Sequence, residues 1–155
     1  MNNTTVAIIV LFIGALVLSG GGPGSTSTTS TSGFVIQATE ADVTLLARLI
    51  DVEAGGEPYR GKVAVGAVVV NRVKDPRFPN TVRDVIYEPN QFYTRGLPNR
   101  PVPSEESRRA ALAALRGEDP TGGALFFYNP DKAPTTAWWA SRPNRMRIGN
   151  HVFTR

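Results

Sequence analysis

Residues 19–33 read SGGGPGSTSTTSTSG, and no chain can build a packed core from such a stretch. Its side chains bury too little apolar surface to offset the entropy lost on ordering them. The tract therefore separates an N-terminal piece from a folding unit at residues 34–155, and it is expected to be a flexible linker. A Gly/Ser-rich coil of this size spans about 20 Å root-mean-square, enough to hold a domain off a surface without orienting it. Ahead of it, residues 6–18 (VAIIVLFIGALVL) form an unbroken apolar run. A core of about 13 residues suits a signal peptide and falls short of the roughly 20 of a comfortable membrane span. No Lys or Arg lies in residues 1–5, and no A-x-A site comes after the run. Residues 1–18 are thus read as either a signal peptide or an N-terminal membrane anchor, and both readings export the rest of the chain.

Residues 34–155 suffice for one domain with one core. Lys and Arg number 17 against 13 Asp and Glu, a net charge of +4 that favours contact with polyanions. The basic residues are scattered, with only a loose concentration at Arg142, Arg145 and Arg147, so nucleic acid is not an expected partner. The sequence has no Cys and a single His. Disulfide scaffolds, thiol nucleophiles and the usual zinc-hydrolase ligand sets are excluded, and neither a metal nor an organic cofactor is expected.

Hydrophobic spacing sets the expected elements. Thr39 and Asp42 form a capping pair ahead of Val43, Leu46, Ala47 and Ile50, which predicts a helix over residues 41–53. Gly55, Gly56 and Pro58 interrupt the chain. Residues 62–73 (KVAVGAVVVNRV) come next as a second apolar segment whose valines favour strand and whose length permits a buried helix; periodicity alone leaves both open. A short capped helix is predicted over residues 80–87, and an amphipathic one over 104–116, between Ser104 and Gly117. Residues 124–128 (ALFFY) and 147–153 (RIGNHVF) read as two short strands. The fold class is therefore α+β, mainly helical with a small antiparallel sheet near the C-terminus.

The chemistry-bearing feature is a carboxylate cluster at Asp51, Glu53 and Glu57 around the glycine break. Taken alone, a carboxylate at a helix end is more often a solvated charge than an active-site acid. The surrounding residues add to this. LARLIDVEAGGEPYRGKVAVGAVVVNRVKDPRFPNTVRDVIYEPNQF resembles the opening of the cell wall hydrolase family that includes the spore cortex-lytic enzymes (SleB-type). In that family a helix ends in Glu-Ala-x-Gly-Glu, matched by Glu53, Ala54, Gly56 and Glu57, and a second ends in Asn-Arg-Val, matched by Asn71, Arg72 and Val73. GGALFFYNP and RIGNHVF resemble its closing blocks, in the same order. Several motifs in one order are far more specific than any one of them.

The resemblance implies a lysozyme-like or lytic-transglycosylase-like domain acting on the bond between N-acetylmuramic acid and N-acetylglucosamine, with Glu53 as acid/base. Its substrate would be the glycan strands of peptidoglycan, reached outside the cell in the wall or spore cortex. The membrane would be a further partner if residues 1–18 stay uncleaved. A glycosidic oxygen leaves only when protonated, which asks for a carboxyl of raised pKa among apolar groups such as Val52, Ala54, Phe92 and Tyr128. Asp51 lies about 200° around a helix from Glu53 and reads as structural or solvated. Glu57 is expected at the entry of the next helix, accepting its backbone N–H groups. With no second acid, a lytic transglycosylase is favoured over a hydrolytic muramidase, and a non-catalytic wall-binding module is the rival of another class. Gln91 and Phe92 resemble the family's Gly/Gln-Phe-Ser block, with Tyr93 in place of Ser. With Tyr128, Asn129, Trp139 and His151 they complete the expected substrate-binding set. Trp138 and Trp139 are adjacent and face differently, so at most one meets a glycan. His151 reads as a structural hydrogen-bonding residue rather than a catalytic one.

Overall fold

The computed structural model describes residues 33–132, 141–143 and 145–155. The expectations for residues 1–18, for nearly all of the linker and for Trp138 and Trp139 lie outside the described residues. Among the described residues no helix is long and apolar enough to cross a membrane.

Four helices and a small sheet succeed one another: α1 Glu40–Ala54, α2 Tyr59–Lys74, α3 Val82–Tyr87, a short 3-10 turn Leu97–Asn99, α4 Glu105–Leu115, then β1 Phe126–Tyr128, β2 Met146–Ile148 and β3 His151–Thr154. The expected fold class is the one observed. Thr39 and Asp42 cap α1 reciprocally, the Asp42 N–H donating to Thr39 Oγ1 and the Thr39 N–H to the Asp42 carboxylate at 2.8 Å. Residues 62–73, open between strand and helix in the sequence, are helical. Val63, Val65, Val68, Val69 and Val70 are all buried there, so packing on several sides overrides their strand propensity.

The core forms where α4 lies across both α1 and α2. Gly66 sits at the closest approach. A Cβ there would stand 2.9 Å from the Ala114 Cβ and 3.3 Å from Ile50 Cδ1. Ala110, Ala111 and Ala114 on α4 complete a contact between small residues that draws the backbones together. Leu46, Leu49 and Ile50 of α1 fill the space around it, fully buried.

The sheet is antiparallel with order β1-β3-β2. Residues 147–153, expected as one strand, instead make a hairpin. Ile148 pairs with His151, and Gly149 takes the first turn position at φ +59°. A two-residue turn that begins on a left-handed residue matches the twist of the flanking strands, and glycine adopts that conformation without strain. Alternation then sorts the side chains. Phe127, Ile148, His151 and Phe153 take one face, against the main core, while Phe126 and Tyr128 take the other with Phe78 and Leu125, where Phe126 meets Arg72 at the end of α2.

Candidate active site

The three carboxylates at the end of α1 have three different surroundings. Asp51 faces α4, where it accepts the Ser104 N–H at 2.9 Å and the Ser104 hydroxyl at 2.7 Å. Ser104 in turn caps α4 by accepting the Ser107 N–H. Burial alone would raise the Asp51 carboxyl. The neighbouring Ser107 and Ser104 hydroxyls, the Ser104 N–H and the charge of Lys62 outweigh it, so its pKa is lowered. Asp51 is structural.

Glu57 is not a helix-entry residue, contrary to the sequence expectation. Its Oε2 accepts the Asn150 N–H at 2.8 Å and its Oε1 the Asn150 side-chain amide at 3.0 Å. The 55–58 loop turns this side chain toward the β2–β3 hairpin, and Pro58, which has no N–H, takes the N-cap position of α2. A Cβ on Gly149 would run into the same carboxylate, so glycine is required there for approach as well as for the turn. Burial pushes the Glu57 carboxyl up, but the two Asn150 hydrogen bonds and the charges of His151 and Lys132 bring it below its ordinary value. Glu57 therefore latches the hairpin onto the α1–α2 corner in its charged form.

Glu53 differs from both. It is half-buried in the last turn of α1, and its Oε1 accepts the Tyr93 backbone N–H at 2.8 Å. Its Oε2 has no hydrogen-bond partner among the described residues. Burial raises its pKa above the ordinary 4.5, and the Tyr93 N–H offsets only part of that. The negative end of the α1 dipole, with no basic residue in the last turn, acts in the same direction. The site thus holds a carboxyl with one fixed oxygen and one free oxygen, biased toward its protonated form.

The expected substrate-binding residues divide into groups. Gln91 is half-buried and accepts Arg72 Nη1 on its Oε1 at 2.7 Å, which leaves its N–H groups to donate elsewhere. Phe92 is a core residue, 5% exposed, with its ring 6.3 Å from that of Phe127. This corrects its placement as a glycan contact: it anchors the 91–93 segment from below. His151 is also moved to the core. It is 7% exposed, edge-on to Phe127 at 5.2 Å and Phe153 at 6.2 Å, and its Nδ1 is buried without a partner among the described residues. Burial lowers its pKa, with Glu57 acting against that and Lys132 with it. Tyr128 lies on the opposite sheet face, its hydroxyl accepting Arg145 Nη2 at 2.9 Å, so the ring beside Phe92 is that of Phe127 and not of Tyr128. Asn129 comes directly after β1 and accepts the Asp131 N–H on its side chain at 2.9 Å, half-exposed in a turn. Trp139 lies outside the described residues. Among the described residues no group of three His, Cys, Asp or Glu stands together as a metal site.

The Tyr93 N–H is invisible in the sequence, because a backbone donor has no sequence signature. Arg72 stands out there only as part of a motif. Its signal was available: a lone arginine inside a valine-rich helix demands buried partners.

The sequence profile of the family described as Cell Wall Hydrolase matches residues 56–154. The chain belongs to the cell wall hydrolase family. The matched span begins just after Glu53, and the relatives extend the likeness. The spore cortex-lytic enzyme of Halalkalibacterium halodurans is 47% identical over 115 residues, covering 72% of this chain and 34% of that one. That of Oceanobacillus iheyensis is 39% identical over 142 residues, covering 87% and 50%. The cell wall hydrolase CwlJ of Bacillus subtilis is 34% identical over 127 residues, covering 77% and 88%. The chain thus spans between about a third and a half of the length of these two spore cortex-lytic enzymes, and most of CwlJ. The crystal structure of the catalytic domain of Bacillus cereus SleB superposes with a TM-score of 0.70 at 40% identity, covering 86% of this chain and all of that domain. The catalytic domain of the germination-specific lytic transglycosylase SleB from Bacillus anthracis gives 0.69 at 42% identity.

Proposed function

We propose that this family member cleaves peptidoglycan glycan strands between N-acetylmuramic acid and N-acetylglucosamine as a lytic transglycosylase, with Glu53 as both acid and base. The observation that carries the reading is the contrast among the three carboxylates. Asp51 and Glu57 are held charged by hydrogen-bond donors, whereas Glu53 keeps one oxygen free and a pKa raised by burial. The names of its relatives and of the superposed domains support the substrate and the reaction class.

In this mechanism the protonated Glu53 gives its proton to the bridging oxygen as the bond to the muramyl C1 breaks. The Glu53 carboxylate then takes the proton of the muramyl C6 hydroxyl as that oxygen closes on C1. The ring product is a 1,6-anhydro-muramyl end, and the carboxyl returns to its starting state without water. Gln91 and Asn129 are the half-exposed polar residues proposed to meet the sugars, Tyr128 on the other sheet face is proposed to meet the strand farther from Glu53, and Trp139 remains a proposed contact. The domain would work outside the cytoplasmic membrane, delivered by residues 1–18 as signal or anchor and spaced from it by residues 19–33.

Mass spectrometry of muropeptides released from purified peptidoglycan tests both halves of the proposal. Glu53→Gln keeps the shape but cannot donate the proton, so turnover should fall by roughly 10²- to 10⁴-fold. The wild-type product should carry an anhydro end, lighter than a reducing end by one water. Reducing ends would replace the transglycosylase with a hydrolytic muramidase acting through the same acid. Full turnover by Glu53→Gln would remove the acid assignment.

A further inference from the structure

Arg72 is 3% exposed near the C-terminus of α2, a costly place for a charge. Its guanidinium stands 5.0 Å from the ring centres of Phe78 and Phe92 and 5.3 Å from that of Phe126. Nε donates to the Leu125 carbonyl at 2.7 Å, just before β1, and Nη1 donates to Gln91 Oε1 at 2.7 Å. Burial lowers its pKa to about 10, and the charge of Glu88 works against that fall, so it remains a cation at neutral pH. Two directed hydrogen bonds and three ring faces fix the plane of this fork in a way that a lysine ammonium cannot reproduce.

What Arg72 holds is the segment that reaches the acid. The chain turns at Asn90, in the left-handed region at φ 62°, and three consecutive residues then take three separate anchors. The Gln91 side chain goes to Arg72, the Phe92 ring goes into the core beneath the same guanidinium, and the Tyr93 N–H goes to Glu53. The Tyr93 side chain is 40% exposed and contributes little to holding the segment. We infer that Arg72 is a positioning residue for the glycosidic acid, clamping Gln91 and Phe92 so that the Tyr93 N–H stays on Oε1 of Glu53 and the free Oε2 faces the substrate. This inference rests on the assignment of Glu53 as the acid.

The test is the pH profile of muropeptide release by the full chain, with thermal midpoints recorded alongside. Gln91→Met keeps the volume and removes the acceptor. The Tyr93 N–H then loosens, the charged form of Glu53 loses its donor, and the alkaline limb of the maximal rate should move up by about one pH unit. The maximal rate should drop about tenfold, and the thermal midpoint should fall, because Arg72 Nη1 loses its buried acceptor, while the protein stays folded at the assay temperature. Arg72→Lys should move the limb in the same direction and also lower the midpoint. An unmoved limb in Gln91→Met overturns the inference, including the case in which only KM rises, since that would make Gln91 a sugar contact and nothing more. Glu53→Gln is run in parallel. An inactive Glu53→Gln with an unmoved limb refutes the clamp alone, whereas an active Glu53→Gln refutes the acid and the clamp together.

Discussion

Where α1, α2 and α4 meet, the protein is held by aliphatic side chains and small residues: Leu46, Leu49, Ile50, five valines, Gly66 and the alanines of α4. Between the end of α2 and the sheet it is held by a buried cation among phenylalanines, with Phe78, Phe92 and Phe126 around Arg72, and Phe127 bridging Phe92 to Phe153. The two regions differ in how much geometry they demand. Aliphatic packing is non-directional and proportional to area, so many combinations of similar volume serve. A guanidinium between rings is directional, because each ring face and each N–H has one useful orientation. Glu53 draws on both. The helices fix where its backbone stands, and the aromatic layer, through the 91–93 segment, fixes what its carboxyl meets.

The largest way to break this contrast is to spoil the close approach on which the helices depend. Gly66→Leu would drive a side chain into Ala114 and Ile50, where even a Cβ is too near. It should cost about 3 kcal/mol or more, measured by urea unfolding, and remove activity together with the fold. Retained stability would mean that α4 can move away, and that the contact is not a fixed one. A matched pair of milder changes comes next. Leu46→Met in the helices conserves volume and should cost under about 1.5 kcal/mol with turnover per folded molecule unchanged. Phe92→Leu, of similar mildness, should lower turnover by several-fold more than its stability loss explains, because it loosens the segment bearing the Tyr93 N–H. Equal and negligible effects on turnover would erase the distinction between the regions.

The smallest effect is in the pH dependence of stability. Asp51 and Glu57 titrate below their ordinary values when folded, so their contribution is complete above the unfolded carboxyl pKa and is lost as pH falls through their folded pKa values. Glu53 has the opposite sign: its folded pKa is raised, so its contribution is present below the unfolded value and is lost as pH rises through the folded one. Glu53→Gln should therefore melt slightly above wild type at pH 7, with the gap closing below about pH 4, where both side chains are neutral. A variant that melts lower at pH 7 would show that the carboxylate is stabilised in its pocket and that the bias toward protonation is absent.

Much of the helical region was readable in order along the chain. The Thr39–Asp42 cap, the apolar spacing of α1 and the Ser104 start of α4 are local signals, since backbone groups at a helix end must be satisfied by residues a few positions away. Hydrophobic spacing carried the class of fold, and the family motif, more than the glycine break itself, singled out Glu53 among the three carboxylates as the expected acid. Residues 62–73 were ambiguous because β-branched side chains favour strand in isolation, and only burial on several sides made them helical. RIGNHVF became a hairpin instead of one strand, although Gly149 and Asn150 were a visible turn signal. What set the protonation of Glu53 apart from that of Asp51 and Glu57 came from partners far along the chain: Ser104 for Asp51, Asn150 for Glu57, and a backbone N–H at Tyr93 for Glu53. Phe92 and His151 went to the core for the same reason, because which face of a loop or strand is covered depends on what packs over it. Local sequence sets backbone conformation through short-range sterics and hydrogen bonding, whereas a carboxyl's protonation depends on desolvation and donors that only the assembled fold brings within 3 Å.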